Sequence, residues 1–261
     1  MTWRGLFFLL AGFLGATRGF AGAELERLTW TVNGVAREAL VHVPGNIGPA
    51  GAPLVFAFHG HGGSARQASR SFHLHETWPE AIVVYPQGLP TTGQLTDKAG
   101  ERAGWQGYAG TEGDRDLKFF DAMLADLGNR YRVDAKRIYA TGHSNGGGFT
   151  YLLWAERGKV FAAFAPSSAL LARGSPHFTP KPVLHLGSPS DPLVKWAWQE
   201  KMIDHDLQVD GCGPRRSGTG YLEYPSKIGA DVATYLHDGG HGYPAAGPVL
   251  IVKFFQAHAQ P

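Results

Sequence analysis

Ile138-Tyr139-Ala140-Thr141-Gly142-His143-Ser144-Asn145-Gly146-Gly147-Gly148 is the stretch from which the rest of the chain is read. A short apolar run ends in Gly-x-Ser-x-Gly, and a helix-like segment from Phe149 to Glu156 follows. The order is that of a nucleophile elbow: a strand, a sharp turn carrying a serine, then a helix. Such a turn strains the serine backbone, and a Cβ at Gly142 or Gly146 would clash with the neighbouring strand or helix. The strain lifts the Ser144 hydroxyl clear of the sheet, beside a helix N-terminus with unpaired N–H groups. A glycine-rich turn with an incidental serine fits the same five residues, so the flanking sequence has to decide.

Working outward, the apolar runs Leu54 to Phe58, Ala81 to Tyr85, Ile138 to Thr141, Phe161 to Ala165, Val183 to Leu186 and Val232 to Leu236 do not alternate with polar residues. Continuous apolar runs fit parallel strands buried on both faces. Leu28 to Val32 and Ala36 to Val43, joined by Asn33-Gly34, read instead as an antiparallel hairpin at an edge. Helices are expected between the runs, at Asp114 to Tyr131, Asn145 to Glu156 and Pro248 to His258, from apolar residues three or four apart. Proline at Pro248 suits a first helical position. The fold class is therefore α/β, a doubly wound, mainly parallel sheet with helices on both faces. In such sheets the reactive groups collect at the carboxyl ends of the strands.

A serine hydroxyl needs a base, and the base needs a carboxylate to orient it. In this topology the chain order is serine, acid, histidine. Asp191 follows the run ending at Leu186, and His241, between glycines, follows the run ending at Leu236. Ser144, Asp191 and His241 are the candidate catalytic residues, with Asp238 and Asp231 as rival acids. The oxyanion of a tetrahedral intermediate needs two N–H donors. They are expected from the backbone of Asn145 and of His61, in the loop His59-Gly60-His61-Gly62-Gly63, with Gly62 as the alternative to His61. His59 is expected to be a structural hydrogen-bonding group.

The same loop admits other chemistries. Gly60-His61-Gly62-Gly63-Ser64-Ala65 matches a dinucleotide-binding pattern, but no acidic residue closes the next strand, which ends Tyr85-Pro86-Gln87-Gly88. His59-x-His61 and His73-x-His75 lack the accompanying ligands of a metal site, and none is expected. Trp105, Trp196 (or Trp198) and Tyr243 lie in loops or helix starts beside the candidate site, and Trp105, Tyr243 and Trp196 are taken as substrate-binding residues. Aromatic walls suit an acyl or phenolic group over a charged one.

The chain has 261 residues, 43% hydrophobic and 18% charged, with 36 glycines and 17 prolines. Met1 to Arg4, the apolar run Gly5 to Ala16 and the small residues Ala21-Gly22-Ala23 read as a secretory signal over residues 1–23, leaving residues 24–261 as a single catalytic domain. The run is short for a spanning helix. Losing Arg4 and Arg18 takes the formal charge from +2 to neutral. A neutral chain has no broad pull on nucleic acid or anionic lipid, so neither is expected as a partner. The mature chain is expected to be secreted or periplasmic and monomeric. Cys212 is the single cysteine, so no disulfide can form within the chain.

At these residues the sequence resembles secreted α/β-hydrolase esterases of the polyhydroxybutyrate depolymerase and feruloyl esterase type. The resemblance rests on Pro53 to Ala65, Tyr85-Pro86-Gln87-Gly88, Trp105, Asp114 to Phe120, Tyr131 to Gly147 and Gly239-Gly240-His241-Gly242-Tyr243-Pro244. It implies the α/β-hydrolase fold, a serine esterase, export, no cofactor, and Ser144, Asp191 and His241 as the triad. The stretch Gly187-Ser188-Pro189-Ser190-Asp191 departs from the usual His-Gly-x-x-Asp form, and the disulfides common in the group have no counterpart here. Feruloyl, acetyl and hydroxyalkanoate esters all remain open as substrates. An acyltransferase or peptidase on the same fold, or an inactive carbohydrate-binding protein, are the rival functions.

Overall fold

The computed structural model describes residues 25–93, 95–172, 178–217 and 220–261. The expected signal, residues 1–23, lies outside the described residues. The strands are β1 (Glu26–Val32), β2 (Val35–His42), β3 (Ala52–Phe58), β4 (Ile82–Pro86), β5 (Leu89–Pro90), β6 (Ala103–Gly104), β7 (Val133–His143), β8 (Ala163–Ser167), β9 (Val183–Gly187), β10 (Arg216–Ser217), β11 (Leu222–Tyr224) and β12 (Val232–Leu236). The α-helices are α1 (Ala65–Phe72), α2 (Leu74–Thr77), α3 (Arg115–Arg130), α4 (Asn145–Arg157), α5 (Trp196–Val209) and α6 (Gly247–Ala257).

Ten of these strands form one sheet, in the order β1-β2-β4-β3-β7-β8-β9-β12-β11-β10. Every pairing from β4 across to β12 is parallel. The pairings at the two edges are antiparallel. Side chains alternate between faces along each strand. Leu54, Phe56 and Phe58 of β3 join a core with Leu117 and Phe120 of α3 and Phe149 of α4. Val55 and Ala57, from the same strand, join a second core with Phe72 of α1 and Ile251 and Phe255 of α6. Two covered faces explain why β3 is apolar at every position and buried throughout.

The edge hairpin turns where expected. Asn33 and Gly34 have φ of 52° and 79°, and Val32 pairs with Val35. Two positive φ values make the turn whose twist matches the flanking strands. Helices α1 and α5 and the short β10–β11 edge were not anticipated. Helix α1 is polar apart from Ala65, Ala68 and Phe72, and its start is fixed locally, by Ser64 Oγ accepting from the Gln67 amide at 3.1 Å.

Between β7 and α4 the chain turns within one residue. Ser144 has φ 56° and ψ −120°, strained for a residue with a side chain. Its amide donates to the Ser167 carbonyl of β8 at 2.8 Å. Helix α4 then passes so close to the end of β3 that a Cβ on Gly146 would overlap the carbonyls of Phe58 and His59, and one on Gly142 would overlap Gly146 itself. Gly146→Ala is therefore expected to destabilise the protein by about 3 kcal/mol, since backbone atoms cannot swing aside as a side chain can. Urea unfolding of the variant beside the wild type measures it; an unchanged midpoint contradicts the packing described.

Candidate active site

Ser144, Asp191 and His241 follow β7, β9 and β12, and all three lie at the carboxyl end of the sheet. The structure brings them into one line of hydrogen bonds. His241 Nδ1 is 2.8 Å from Asp191 Oδ2, and His241 Nε2 is 2.9 Å from Ser144 Oγ. An ionised carboxylate only accepts, so Nδ1 carries the ring proton and Nε2 turns its lone pair to the serine hydroxyl. A hydroxyl that gives its proton to an imidazole held in this way can act as a nucleophile.

Asp191 is buried, and its carboxylate is fully engaged. Oδ1 accepts from the Leu193 and Val194 amides, each at 2.9 Å, and Oδ2 accepts from Gln199 Nε2 at 3.2 Å as well as from His241. The rival acids are occupied elsewhere. Asp231 Oδ1 accepts from the Ser226 amide, and Asp238 is exposed, with its carbonyl receiving Ser190 Oγ.

The loop after β3 separates the two expected oxyanion donors. The Gly62 amide is spent on the Ala103 carbonyl at 2.7 Å, and the Gly63 amide on Gly60 at 3.0 Å. Among the described residues, the His61 and Asn145 amides have no such acceptor. Asn145 opens α4, where the first amides lack intrahelical partners. His59 holds the loop from below: Nδ1–H donates to the Gly60 carbonyl at 2.8 Å, and Nε2 accepts from the Gly88 amide at 3.0 Å. Burial lowers its pKa, which keeps this neutral tautomer in place.

Two groups that sequence reading passed over organise the wall. Asp97 Oδ2 accepts from His61 Nε2 at 3.0 Å and from the Arg102 amide at 2.9 Å, while Oδ1 accepts from the Gly100 amide at 3.2 Å. Asn145 contributes its side chain as well as its amide. Its Oδ1 accepts from the Trp105 amide at 2.7 Å and its Nδ2 donates to the Trp105 carbonyl at 3.0 Å. Just beyond, the Gln106 amide donates to Asp116 at 2.8 Å, and Asp116 pairs with Arg37 at 2.8 Å in the core. No local pattern announces the His61–Asp97, Trp105–Asn145 and Arg37–Asp116 links, because those partners lie 36, 40 and 79 residues apart in sequence.

The aromatic residues divide differently from expectation. Trp105 is 1% exposed; its Nε1 donates to the His59 carbonyl at 2.9 Å and its ring stacks on Phe149. It is held as part of the cleft floor, with little of its surface exposed to the cleft it helps to line. Trp196 turns toward Gly187 at the end of β9 and does not line the cleft, whereas Trp198, two residues on and 37% exposed, does. Two residues span over half a helical turn, so only one of the pair can face the opening. Tyr243 lines the cleft with its ring against Phe72 and its hydroxyl buried without a partner. The cleft measures about 730 Å³, and its lining includes Ser144, His241, His61, Leu193 and Trp198.

His143, beside the serine, is engaged with Ser167 Oγ at 3.2 Å and stands 5.0 Å from the His241 ring. Burial pushes its pKa down to about 4, and the neighbouring His241 adds to the effect.

No family model matches the chain. It is 29% identical over 252 residues to probable feruloyl esterase C of Aspergillus flavus, covering 87% of each chain. It is 27% identical over 206 residues to a bifunctional acetylxylan esterase/xylanase of Neocallimastix patriciarum, covering 77% of this chain but only 28% of that protein's length. An acetyl xylan esterase from Aspergillus awamori superposes with a TM-score of 0.63 at 14% identity, covering 88% of this chain and 99% of that one. The chain has the α/β-hydrolase fold and resembles esterases of the feruloyl and acetylxylan type.

Asn145→Ala keeps the backbone amide and removes the bracket around Trp105. It is expected to cost about 1–3 kcal/mol and to speed hydrogen exchange at the Trp105 amide; unaltered exchange contradicts the bracket. For His143, the unfolded chain binds the extra proton between pH 6.5 and about 4, so stability falls as pH drops through that window. His143→Gln should show a shallower fall over the same window, read by thermal unfolding in parallel with the wild type.

Proposed function

We propose that the chain is a serine carboxylic-ester hydrolase acting on feruloyl or acetyl esters of plant polysaccharide through an acyl-enzyme. The observation that carries this reading is the line of hydrogen bonds from Asp191 through His241 to Ser144, on the floor of a cleft beside two amides without acceptors. Ser144 Oγ attacks the ester carbonyl carbon as His241 Nε2 takes the hydroxyl proton. Asp191 holds the resulting imidazolium through Nδ1–H. The carbonyl oxygen, now an oxyanion, receives the Asn145 and His61 N–H groups. As the C–O bond breaks, His241 returns the proton to the leaving alcohol. Water then repeats the sequence on the acyl-enzyme and releases the acid, restoring Ser144.

The substrate class rests on the names of the relatives and on the cleft. Its apolar side, from Leu193, Val194 and Trp198, suits an aryl-acyl group without requiring charge. Export rests on the sequence of residues 1–23, and among the described residues no helix is long and apolar enough to cross a membrane.

The test compares the purified chain with Ser144→Ala on p-nitrophenyl acetate. Loss of the nucleophile is expected to lower kcat by about 10⁶, and equal rates would overturn the enzyme reading. Methyl ferulate and acetylated xylan are expected to turn over faster than hydroxybutyrate oligomers. The reverse order moves the substrate to polyesters.

A further inference from the structure

Behind Asp191 runs a set of buried polar groups that the ester chemistry does not use. Gln199 of α5 is fully buried, and its Nε2 donates to Asp191 Oδ2 at 3.2 Å and to the Val194 carbonyl at 2.6 Å. Both partners only accept, so the amide cannot be flipped and Oε1 must face the other way. There it meets His185 Nε2 at 3.2 Å. An amide oxygen cannot donate, so His185 Nε2 carries a proton.

His185, on β9 and fully buried, points Nδ1 at the Tyr151 hydroxyl at 2.9 Å, and that hydroxyl is 2.9 Å from Asp206 Oδ2. Tyr151 has one proton to give. If it goes to His185, Asp206 must be the neutral acid and donate to the tyrosine oxygen. If it goes to Asp206, His185 must be protonated on both nitrogens. In either case Asp206, Tyr151 and His185 together hold one shared proton and no net charge, and His185 Nε2–H faces Gln199. Burial raises Asp206 to about 6 and lowers His185 to about 4, both toward the first arrangement. The ionisable groups nearest this unit are His205, whose Nδ1 is 3.9 Å from Asp206 Oδ1, and Asp210 near the same helix end, raised to about 8 by its own burial. The glycine at the end of β9 belongs to the same construction: a Cβ on Gly187 would lie 2.5 Å from Gln199 Oε1.

We propose that Gln199 is a positioning residue for Asp191, and that His185 Nε2–H, held in place by the Asp206–Tyr151–His185 unit, braces the orientation that Asp191 and Val194 impose on it. Gln199 thereby fixes Asp191 Oδ2, the oxygen that receives His241 Nδ1–H. The inference rests on the reading of Ser144, His241 and Asp191 given above.

Gln199→Met keeps the length of the side chain and removes both amide functions. With folding verified by thermal unfolding, kcat for p-nitrophenyl acetate is expected to fall about 10-fold with KM unchanged. The acid limb of the kcat/KM profile should move to higher pH, because a less satisfied carboxylate stabilises the His241 imidazolium more. Tyr151→Phe should act in the same direction, and the double variant should be non-additive. A folded Gln199→Met with wild-type kcat and acid limb overturns the proposal. Should neither variant fold, histidine ¹⁵N NMR of the wild type decides: protonated Nε2 on His185 supports the proposal, and bare Nε2 overturns it. Ser144→Ala separates the two levels. Ester hydrolysis surviving in Ser144→Ala removes the underlying reading, whereas an inactive Ser144→Ala beside an unaffected Gln199→Met removes only the role of Gln199.

Discussion

Backbone-to-backbone contact between α4 and the ends of β3 and β7 governs the geometry of the whole site. Ordinary helix-on-sheet packing leaves room for side chains. Here Gly142 and Gly146 remove them, and α4 comes to rest on the carbonyls of Phe58 and His59. Three consequences follow from the closeness. Ser144 is forced to a positive φ and stands clear of the sheet. The start of α4 comes against the end of β3, where the loop carrying His61 begins. The Asn145 side chain also comes within reach of Trp105, which ties the far wall of the cleft to the same helix end.

The second organising feature is the treatment of buried charge. Asp191 receives four donors, from two amides, an amide side chain and an imidazole. A buried carboxylate left short of partners would take up a proton and lose its hold on His241. Asp116 is handled in the same way by Arg37 and the Gln106 amide. Asp206 has fewer partners and is driven toward its neutral form.

Much of the frame was open to sequence reading because burial on both faces leaves an unbroken apolar run. Leu54 to Phe58 announces β3 for that reason, and Asn33-Gly34 announces the hairpin because two positive φ values suit few other pairs. Ser144, Asp191 and His241 could be found because each follows such a run, and the structure joins them by hydrogen bonds. What local pattern could not supply was the direction of single side chains. Trp105, Trp196 and Trp198 look alike in a list of aromatics, yet one is core, one faces β9 and one faces the cleft. The choice between His61 and Gly62 as donor turned on where Ala103 sits, some forty residues on in the chain. Helix α1 hid because its buried stripe carries one large apolar side chain, Phe72, beside two alanines and a serine. The partners of Gln199 hid because a buried strand and the loop after it supply them, with no local pattern.

Asp97 has a consequence of another kind. One carboxylate gathers the His61 ring and the Gly100 and Arg102 amides, and so closes the cleft wall as a staple rather than as a packed layer. Position 104 is held to glycine by the same ring, because a Cβ there would strike it. The wall is thus pinned at one carboxylate, so a change at Asp97 would release the His61 ring and both amides together.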